Sequence, residues 1–347
     1  MKSMKYIHFT YDVGRIILYM TENSKILFLN FSAGGQQMKT GEKTTRPMTL
    51  PAAVHLAAPH TWPAAVLPVL LGTALAAADG EAMRPWIALC VLAVAVLLQS
   101  AVNTLNDYRD FVSGLDSAEN CTDESDAALL YDGCTPKGAL VLGLAFLLCA
   151  AILGGVLVAS CGAALLIYGA LALLAILLYV LPGVSFSGLP LGELLSGGAM
   201  GGVLTCAAYH AQAGRFSAAL LYLCLPAVVT IGCILLVNNC SDIEKDALGG
   251  RKTLSVCIGR KASTVLLRVL LAAAAVGVML IIALRCPRGV AAIPVLPVAL
   301  LTSGGVRGLF TQPLTPERRR ESMGGVLAAH KWIIGCYAAA LALHAMM

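Results

Sequence analysis

Two short runs in this chain carry more oxygen ligands than helix packing requires. The first is Asn103-Thr-Leu-Asn106-Asp107-Tyr-Arg-Asp110, followed by Asp116. The second is Asn238-Asn239-Cys-Ser-Asp242-Ile-Glu-Lys-Asp246. On a helix, Asn103, Asp107 and Asp110 fall within roughly 60° of one another, and Asn238, Asp242 and Asp246 form a second stripe. Carboxylates on one face repel each other, and each costs roughly 2.5–3.5 kcal/mol inside a membrane segment. A shared divalent cation removes both penalties. Oxygen-only ligands suit Mg²⁺ rather than zinc or copper, and Mg²⁺ usually bridges carboxylates to substrate phosphates instead of sitting in an all-protein cage. Two facing acidic stripes therefore suit a Mg²⁺-bound diphosphate. Solvated, capped helix ends are the plainer reading of either run alone; two matching runs opening to one side of a membrane weigh against it.

The elements that must hold these runs are apolar. Of 347 residues, 58% are hydrophobic and only 12% charged, with a mean hydropathy of +0.81. A soluble domain carries roughly 25% charged residues, so too little polar surface exists to cover a water-soluble globule. Disordered, collagenous and disulfide-scaffold classes are excluded too. A bilayer crossing needs about 20 mostly apolar residues, and candidates are Leu56–Ala78, Trp86–Leu105, Ala139–Ser160, Ala163–Leu181, Leu191–Ala213, Ser217–Asn238, Val265–Leu284, Gly289–Phe310 and Gly324–Met346. Lipid offers no partner for unpaired backbone groups, so all are helices. The fold class is all-α: a polytopic membrane protein of about nine transmembrane helices, the eighth weakest for its Pro and Gly content. Residues 48–347 form one transmembrane domain. Residues 1–47 read as a peripheral tail, since Glu22, Asn23 and Lys25 break the apolar piece Ile16–Phe31; Met38 and Met48 each offer a later start.

An even number of spans separates the two acidic runs, so both open to the same side. Lys and Arg choose that side. Loops after the second, sixth and eighth spans carry Arg109, Lys137, Lys245, Arg251, Lys252, Arg260, Lys261, Arg307 and Arg318 to Arg320, against Arg84, Arg215, Arg285 and Arg288 opposite. The positive-inside rule places the basic loops in the cytoplasm, the membrane being the inner (cytoplasmic) membrane. The net charge of +5 is spread over these loops, with no aromatic-interleaved patch of the kind nucleic acid requires. The 12 cysteines lie mostly in apolar stretches, where a thiol acts as a small hydrophobe. No CxxC pair supports a zinc site, and Cys121 and Cys134, which share a loop, are not expected to pair in the cytoplasm. His55, His60, His210, His330 and His344 lack ligand spacing and read as helix-end or packing residues, His60 alone being placed to touch substrate. Glu193 is the other isolated acid, a packing residue or a cavity group.

The runs NTLNDYRDFVSGLD (Asn103–Asp116) and NNCSDIEKDALGGRKTL (Asn238–Leu254) resemble the two aspartate-rich motifs of UbiA-type intramembrane prenyltransferases. The spacing from Asp110 to Asp116, the tail GGRKTLSVCIGRKAS and the segment HTWPAAVLPVLLGTALA (His60–Ala76) are most similar to the branch that prenylates 1,4-dihydroxy-2-naphthoate in menaquinone synthesis. The resemblance covers about residues 50 to 346.

What the resemblance implies is a helical bundle around a central cavity, capped by cytoplasmic loops. Asn106, Asp107 and Asp110 would bind one Mg²⁺–diphosphate face, and Asp242 and Asp246 the other, with the four aspartates as the catalytic set. Asn103, Asp116, Asn238 and Asn239 would support them, and Arg251 and Lys252 would reach diphosphate oxygens, with Lys137 and Arg109 as further basic groups. The partners would be a polyprenyl diphosphate, an aromatic acceptor and the bilayer, and the product demethylmenaquinone. Tyr108 and Tyr131 could steady an allylic cation or activate the acceptor hydroxyl, although interfacial packing is their ordinary use. Three features depart from the pattern: Ser241 stands where the family usually has Arg, His60 where the naphthoate branch often has Lys, and the loop after Asp116 is acidic (Glu119, Asp123, Glu124, Asp126, Asp132) and lacks the arginine often found there. Sister acceptors (4-hydroxybenzoate, haem or a glycerol phosphate lipid) remain open. So does a cation- or proton-coupled transporter, though transporter sites lie near the bilayer midplane in broken helices, whereas these acids lie at helix ends.

Overall fold

The computed structural model describes residues 6–9, 16–20 and 26–30, then 48–114, 116, 128–132, 134–180 and 186–347. The chain divides into residues 1–45 and 46–347. The first unit holds three antiparallel strands, β1 (Tyr6–Phe9), β2 (Ile16–Met20) and β3 (Ile26–Asn30), in the order β1-β2-β3. The apolar piece read as part of a peripheral tail holds two paired strands, with Ile16 opposite Asn30 and Met20 opposite Ile26.

Among the described residues, the elements of the second unit are all helices, as the lipid argument requires. Its helices are α1 (Leu50–Ala57), α2 (Pro63–Ala78), α3 (Pro85–Val112), α4 (Ala128–Tyr131), α5 (Pro136–Cys161), α6 (Leu165–Val180), α7 (Gly192–Ser196), α8 (Leu204–Ala213), α9 (Leu220–Leu223), α10 (Leu225–Ser241), α11 (Ile243–Leu248), α12 (Leu254–Arg285), α13 (Val295–Thr302), α14 (Gly304–Thr311) and α15 (Arg319–Met346). Among the described residues, five unbroken helical stretches are long and apolar enough to cross a membrane, or seven if two bent pairs each count as one span. Each of the nine candidate segments overlaps a helix, but α6 is short and the segment expected at Leu191–Ala213 is broken, so nine full crossings do not follow from the helices themselves. Val141 and Ile167, at 65% and 63% exposed and outside the cavity lining, belong to the apolar outer faces of α5 and α6 that only lipid can cover.

Two breaks shape the site. The segment expected as one helix from Leu56 turns by 52° between α1 and α2. Pro59 disfavours helical geometry in the residue before it, and Ala58 lies in the left-handed region (φ 47°, ψ 65°). The carbonyls freed there are taken by α3: Asn103 Nδ2 donates to Ala57 O at 3.2 Å, and Thr104 Oγ1 donates to Leu56 O at 3.2 Å. The second break is a π-helical turn, Gly197–Val203, between α7 and α8. A Cβ at Gly197 or Gly201 would come within 2.3 or 2.4 Å of Val228 backbone atoms on α10, so glycine there lets two helix backbones touch. The pair α13 and α14, the weakest span in sequence, is bent by 67°.

The core lies between α2, α8, α10, α12 and α15, around Leu71, Tyr209, Leu236, Leu267, Ile333 and Tyr337, all buried. Gly72 marks its closest approach, since a Cβ there would meet Thr205 O at 2.2 Å. Overpacking of this kind costs typically about 1–3 kcal/mol. Gly72→Ala is therefore expected to lower Tm in detergent by several degrees. Gly277→Ala, with open space at its Cβ, should leave Tm unchanged or raise it slightly. Thermal unfolding of the two variants side by side checks this.

Candidate active site

Both acidic runs end at one cavity of about 1470 Å³, larger than the roughly 300–1,000 Å³ of ordinary small-molecule sites. Its polar mouth is formed by the ends of α3, α10, α11 and α15, and an apolar body runs between α3, α5, α6 and α8. Asn103, Asn106, Asp107, Asp110, Asp116, Asn238, Asn239, Asp242, Asp246 and Arg251 all line it. Lys252 and Lys137 do not: Lys252 is exposed, with its backbone N–H bonded to Gly188 O, and Lys137 is exposed at the start of α5. Tyr108 packs beside Leu56 and Leu129 away from the cavity, and Tyr131 is exposed; Tyr168 and Tyr179 of α6 line it instead.

The first run stays on one continuous helix, α3, as its stripe implies. The second does not: α10 ends at Ser241, Asp242 has φ −104° and ψ 17°, and α11 begins after it. Ser241 Oγ donates back to Val237 O at 2.9 Å, a bond that bends helices. The i to i−4 bonds of Asp242 N to Asn238 O and of Asp246 N to Asp242 O persist, so Asn238, Asp242 and Asp246 still reach one cavity from either side of the joint.

The two runs face each other through cations of the chain itself. Arg251 donates from one nitrogen to Asp110 Oδ1 and from the other to Asp246 Oδ1 at 3.4 Å. Lys245 donates to Asp116 Oδ1 at 2.8 Å. One guanidinium thus spans an aspartate of each run. Around them, Asp110 also accepts from Arg109 (2.8 and 3.0 Å) and Asn106 (3.2 Å), while Arg109 donates to Asn106 Oδ1 at 2.9 Å. Asn106 therefore has both ends of its amide committed, and so has Asn103, which accepts from Gln99 and donates to Ala57 O and Thr61 Oγ1. In contrast, Asp107 makes no hydrogen bond or ion pair with the described residues while lining the cavity.

Sequence reasoning treated Arg319 and Lys245 as topology charges. Arg319, at the start of α15, donates to Asn238 Oδ1 at 2.6 Å and to Asp242 at 3.1 Å. It thus brings a guanidinium to Asn238 and Asp242, on either side of Ser241 in the sequence, where the chain lacks the arginine of the resembled pattern. No local signal separates Arg319 from its neighbours Arg318 and Arg320; only the arrival of α15 beside α10 does. Among the acidic loop residues, Asp132 pairs with His55 at 2.7 Å, and Glu119, Asp123, Glu124, Asp126 and Cys121 lie outside the described residues. Cys134 is a buried free thiol. His330 meets Thr230 and His210 meets Tyr168, so both are packing residues.

Burial pushes the Asp242 carboxyl up to about 7, only partly countered by Lys245. Asp246 is also raised by burial, with Arg251 opposing. For Arg251, burial is outweighed by Asp110 and Asp246, which hold it charged. A mouth that raises its carboxylates even beside lysine and arginine is one that gains from further positive charge. Among the described residues no three acids, histidines or cysteines form a ready-made metal cage. The donor set nonetheless fits Mg²⁺: hard oxygens only, with Asp107 uncommitted and Asp242 and Asp246 opposite. Such a site is completed by substrate phosphates rather than by protein alone.

Comparison with known proteins agrees with this geometry. Residues 65–321 match the model of the UbiA prenyltransferase family. The chain is 35% identical over 212 residues to a 1,4-dihydroxy-2-naphthoate octaprenyltransferase of Bacillus subtilis, covering 61% of this chain and 67% of that one. It is 32% identical over 257 residues to the protein of the same name in Mycobacterium tuberculosis, covering 72% and 84%. The fold is similar to that of a UbiA homolog from Archaeoglobus fulgidus bound to GPP and Mg²⁺, with a TM-score of 0.57 and 16% identity over 84% of this chain and 99% of that one.

Arg251 and Lys252 are adjacent, yet only the first is in the site. Removing one partner of a buried pair costs about 3–5 kcal/mol when burial is complete, and less here because Arg251 is 22% exposed. Arg251→Met is expected to lower Tm by several degrees and to reduce prenyl transfer at least tenfold. Lys252→Met should change both little. Paired melting and turnover measurements decide it.

Proposed function

Because the chain belongs to the UbiA prenyltransferase family and is a membrane-embedded prenyltransferase, we propose that it transfers a polyprenyl group from a prenyl diphosphate to 1,4-dihydroxy-2-naphthoate, giving the quinol form of demethylmenaquinone with release of CO₂ and diphosphate. The observation that carries the reaction class is the facing of two aspartate-rich runs across one cavity mouth, bridged by Arg251. The acceptor is supported by the names of the relatives in Bacillus subtilis and Mycobacterium tuberculosis. Family membership also sets aside the transporter reading of the acids.

In this reading Asp107, Asp242 and Asp246 would hold Mg²⁺, with Asp110 and Asp116 held in register by Arg251 and Lys245. The metal, when bound, neutralises charge developing on the departing diphosphate. The chain's own residues do the rest. Arg251, Arg319 and Lys245 are placed to donate to diphosphate oxygens. The apolar wall, including Ile231, Ile234 and Leu235, excludes the water that would otherwise trap an allylic cation. Tyr168 and Tyr179, which line the cavity, supply aromatic rings that can steady that cation. The ring carbon of the electron-rich acceptor then bonds to the allylic carbon, and loss of the ring carboxylate as CO₂ restores aromaticity. The apolar body between α5 and α6 takes the tail, since each CH₂ moved from water into lipid-like surroundings gains about 0.8 kcal/mol. The mouth opens to the cytoplasmic face of the inner membrane, on the charge asymmetry of the loops.

Asp107→Ala or Asp242→Ala is expected to abolish transfer, by at least a hundredfold, while each protein still inserts and purifies as a monodisperse species. EDTA should stop turnover and Mg²⁺ should restore it; activity persisting in chelator would count against the metal. Offering 1,4-dihydroxy-2-naphthoate and 4-hydroxybenzoate together with a labelled prenyl diphosphate should yield only the naphthoate product by mass. A 4-hydroxybenzoate product in its place would overturn the acceptor.

A further inference from the structure

Adjacent asparagines of the second run are set with opposite polarity. Arginine has only N–H groups to offer, so Asn238 turns its Oδ1 toward Arg319 and leaves its NH₂ for the cavity. Asn239 meets a group of the opposite kind. Its Nδ2 donates to Glu193 Oε1 at 2.9 Å, and an ionised carboxylate can only accept. The carbonyl oxygen of Asn239 is therefore the end left for the cavity. Asn239 is 5% exposed and lines the same cavity as Asp242 and Asp246.

Glu193 itself does not line the cavity, so it does not touch substrate. Its other oxygen, Oε2, is buried without a hydrogen bond among the described residues. The backbone around it is held closely: a Cβ at Gly232 of α10 would meet Glu193 O at 3.2 Å, and Gly197, one turn on, packs on Val228. A half-buried carboxylate on backbone held this closely, with one partner and a buried idle oxygen, has its use in what it does to that partner.

We propose that Glu193 is a positioning residue: its carboxylate locks the Asn239 amide with the carbonyl oxygen in the cavity, adding an oxygen donor beside Asp242 and Asp246 for the metal–diphosphate. This rests on the metal reading above. A glutamine in its place can still accept from Asn239 and should hold the amide in most molecules, whereas a leucine leaves it free to turn.

The test is Mn²⁺ binding by the full chain in detergent with inorganic pyrophosphate, followed by loss of the free-ion paramagnetic resonance signal. Loss of a group that orients a metal ligand typically weakens affinity about 10–100-fold. Glu193→Leu is expected to raise the Mn²⁺ Kd at least about tenfold with Tm unchanged, and Glu193→Gln by no more than about threefold. Asn239→Leu should match Glu193→Leu, and the double variant should be no worse than either. Wild-type affinity in Glu193→Leu would overturn the proposal. So would Glu193→Gln failing as badly as Glu193→Leu, or additive losses in the double variant. Failure of the unsubstituted protein to bind Mn²⁺ with pyrophosphate would instead overturn the metal reading itself. If Glu193→Leu does not fold, Asn239→Leu with and without Glu193→Gln gives the same comparison.

Discussion

Like charge held at close range is the constraint around which this molecule is organised. Asp107, Asp110, Asp116, Asp242 and Asp246 converge on one mouth at the end of a helical bundle, where water is scarce and repulsion poorly screened. Arg251 and Lys245 keep that arrangement from flying apart. The first ties Asp110 to Asp246, and the second, on α11, pairs with Asp116 after α3. The capping segments follow from them. The Arg251 N–H bonds to Asp246 O and that of Lys252 to Gly188 O, so the turn after α11 exists to aim one guanidinium. Arg260 grips Glu244 with both terminal nitrogens, at 2.8 and 3.0 Å, and holds α11 to α12.

The helices are adjusted to this end rather than idealised. The kink at Ala58 frees carbonyls that Asn103 and Thr104 use to seat α1 on α3, and Trp62 Nε1 joins them through Ala57 O and Ser100 Oγ. The joint at Asp242 turns the second run so that its acids reach the cavity from two helices. The glycine-rich π turn brings Glu193 to Asn239. Each is a local departure from regular helix at a place where a polar side chain of the site is being aimed.

Much of the site was legible from residue type and spacing. The stripe Asn103, Asp107, Asp110 held because nothing in α3 interrupts 28 residues of helix. The paired runs were legible as one site because an even number of spans puts them on the same side. Division of labour within each run was not. Asn106 and Asp110 read as ligands equal to Asp107, yet Arg109, one turn from Asn106 and next to Asp110, commits both and leaves Asp107 the uncommitted acid. Arg251 and Lys252 read as equals, and the turn directs only one inward. The apolar run Ile16–Phe31 read as too short and broken to span, which its two strands agree with, but pairing between them depends on register that a hydropathy count does not carry.

Composition and hydropathy by themselves determined that the chain lives in a membrane as helices, because a 12% charged chain has no other way to satisfy its backbone and cover its surface. Spacing determined which acids share a face, because helical periodicity is local. Tertiary structure alone decided which cation meets which acid. Arg319 reaches Asp242 across 77 positions, and Lys245 reaches Asp116 across 129. Asn239 meets Glu193 across 46. Such pairings are fixed by how helices pack and where they bend, and a one-dimensional pattern of charge carries no record of distance between elements.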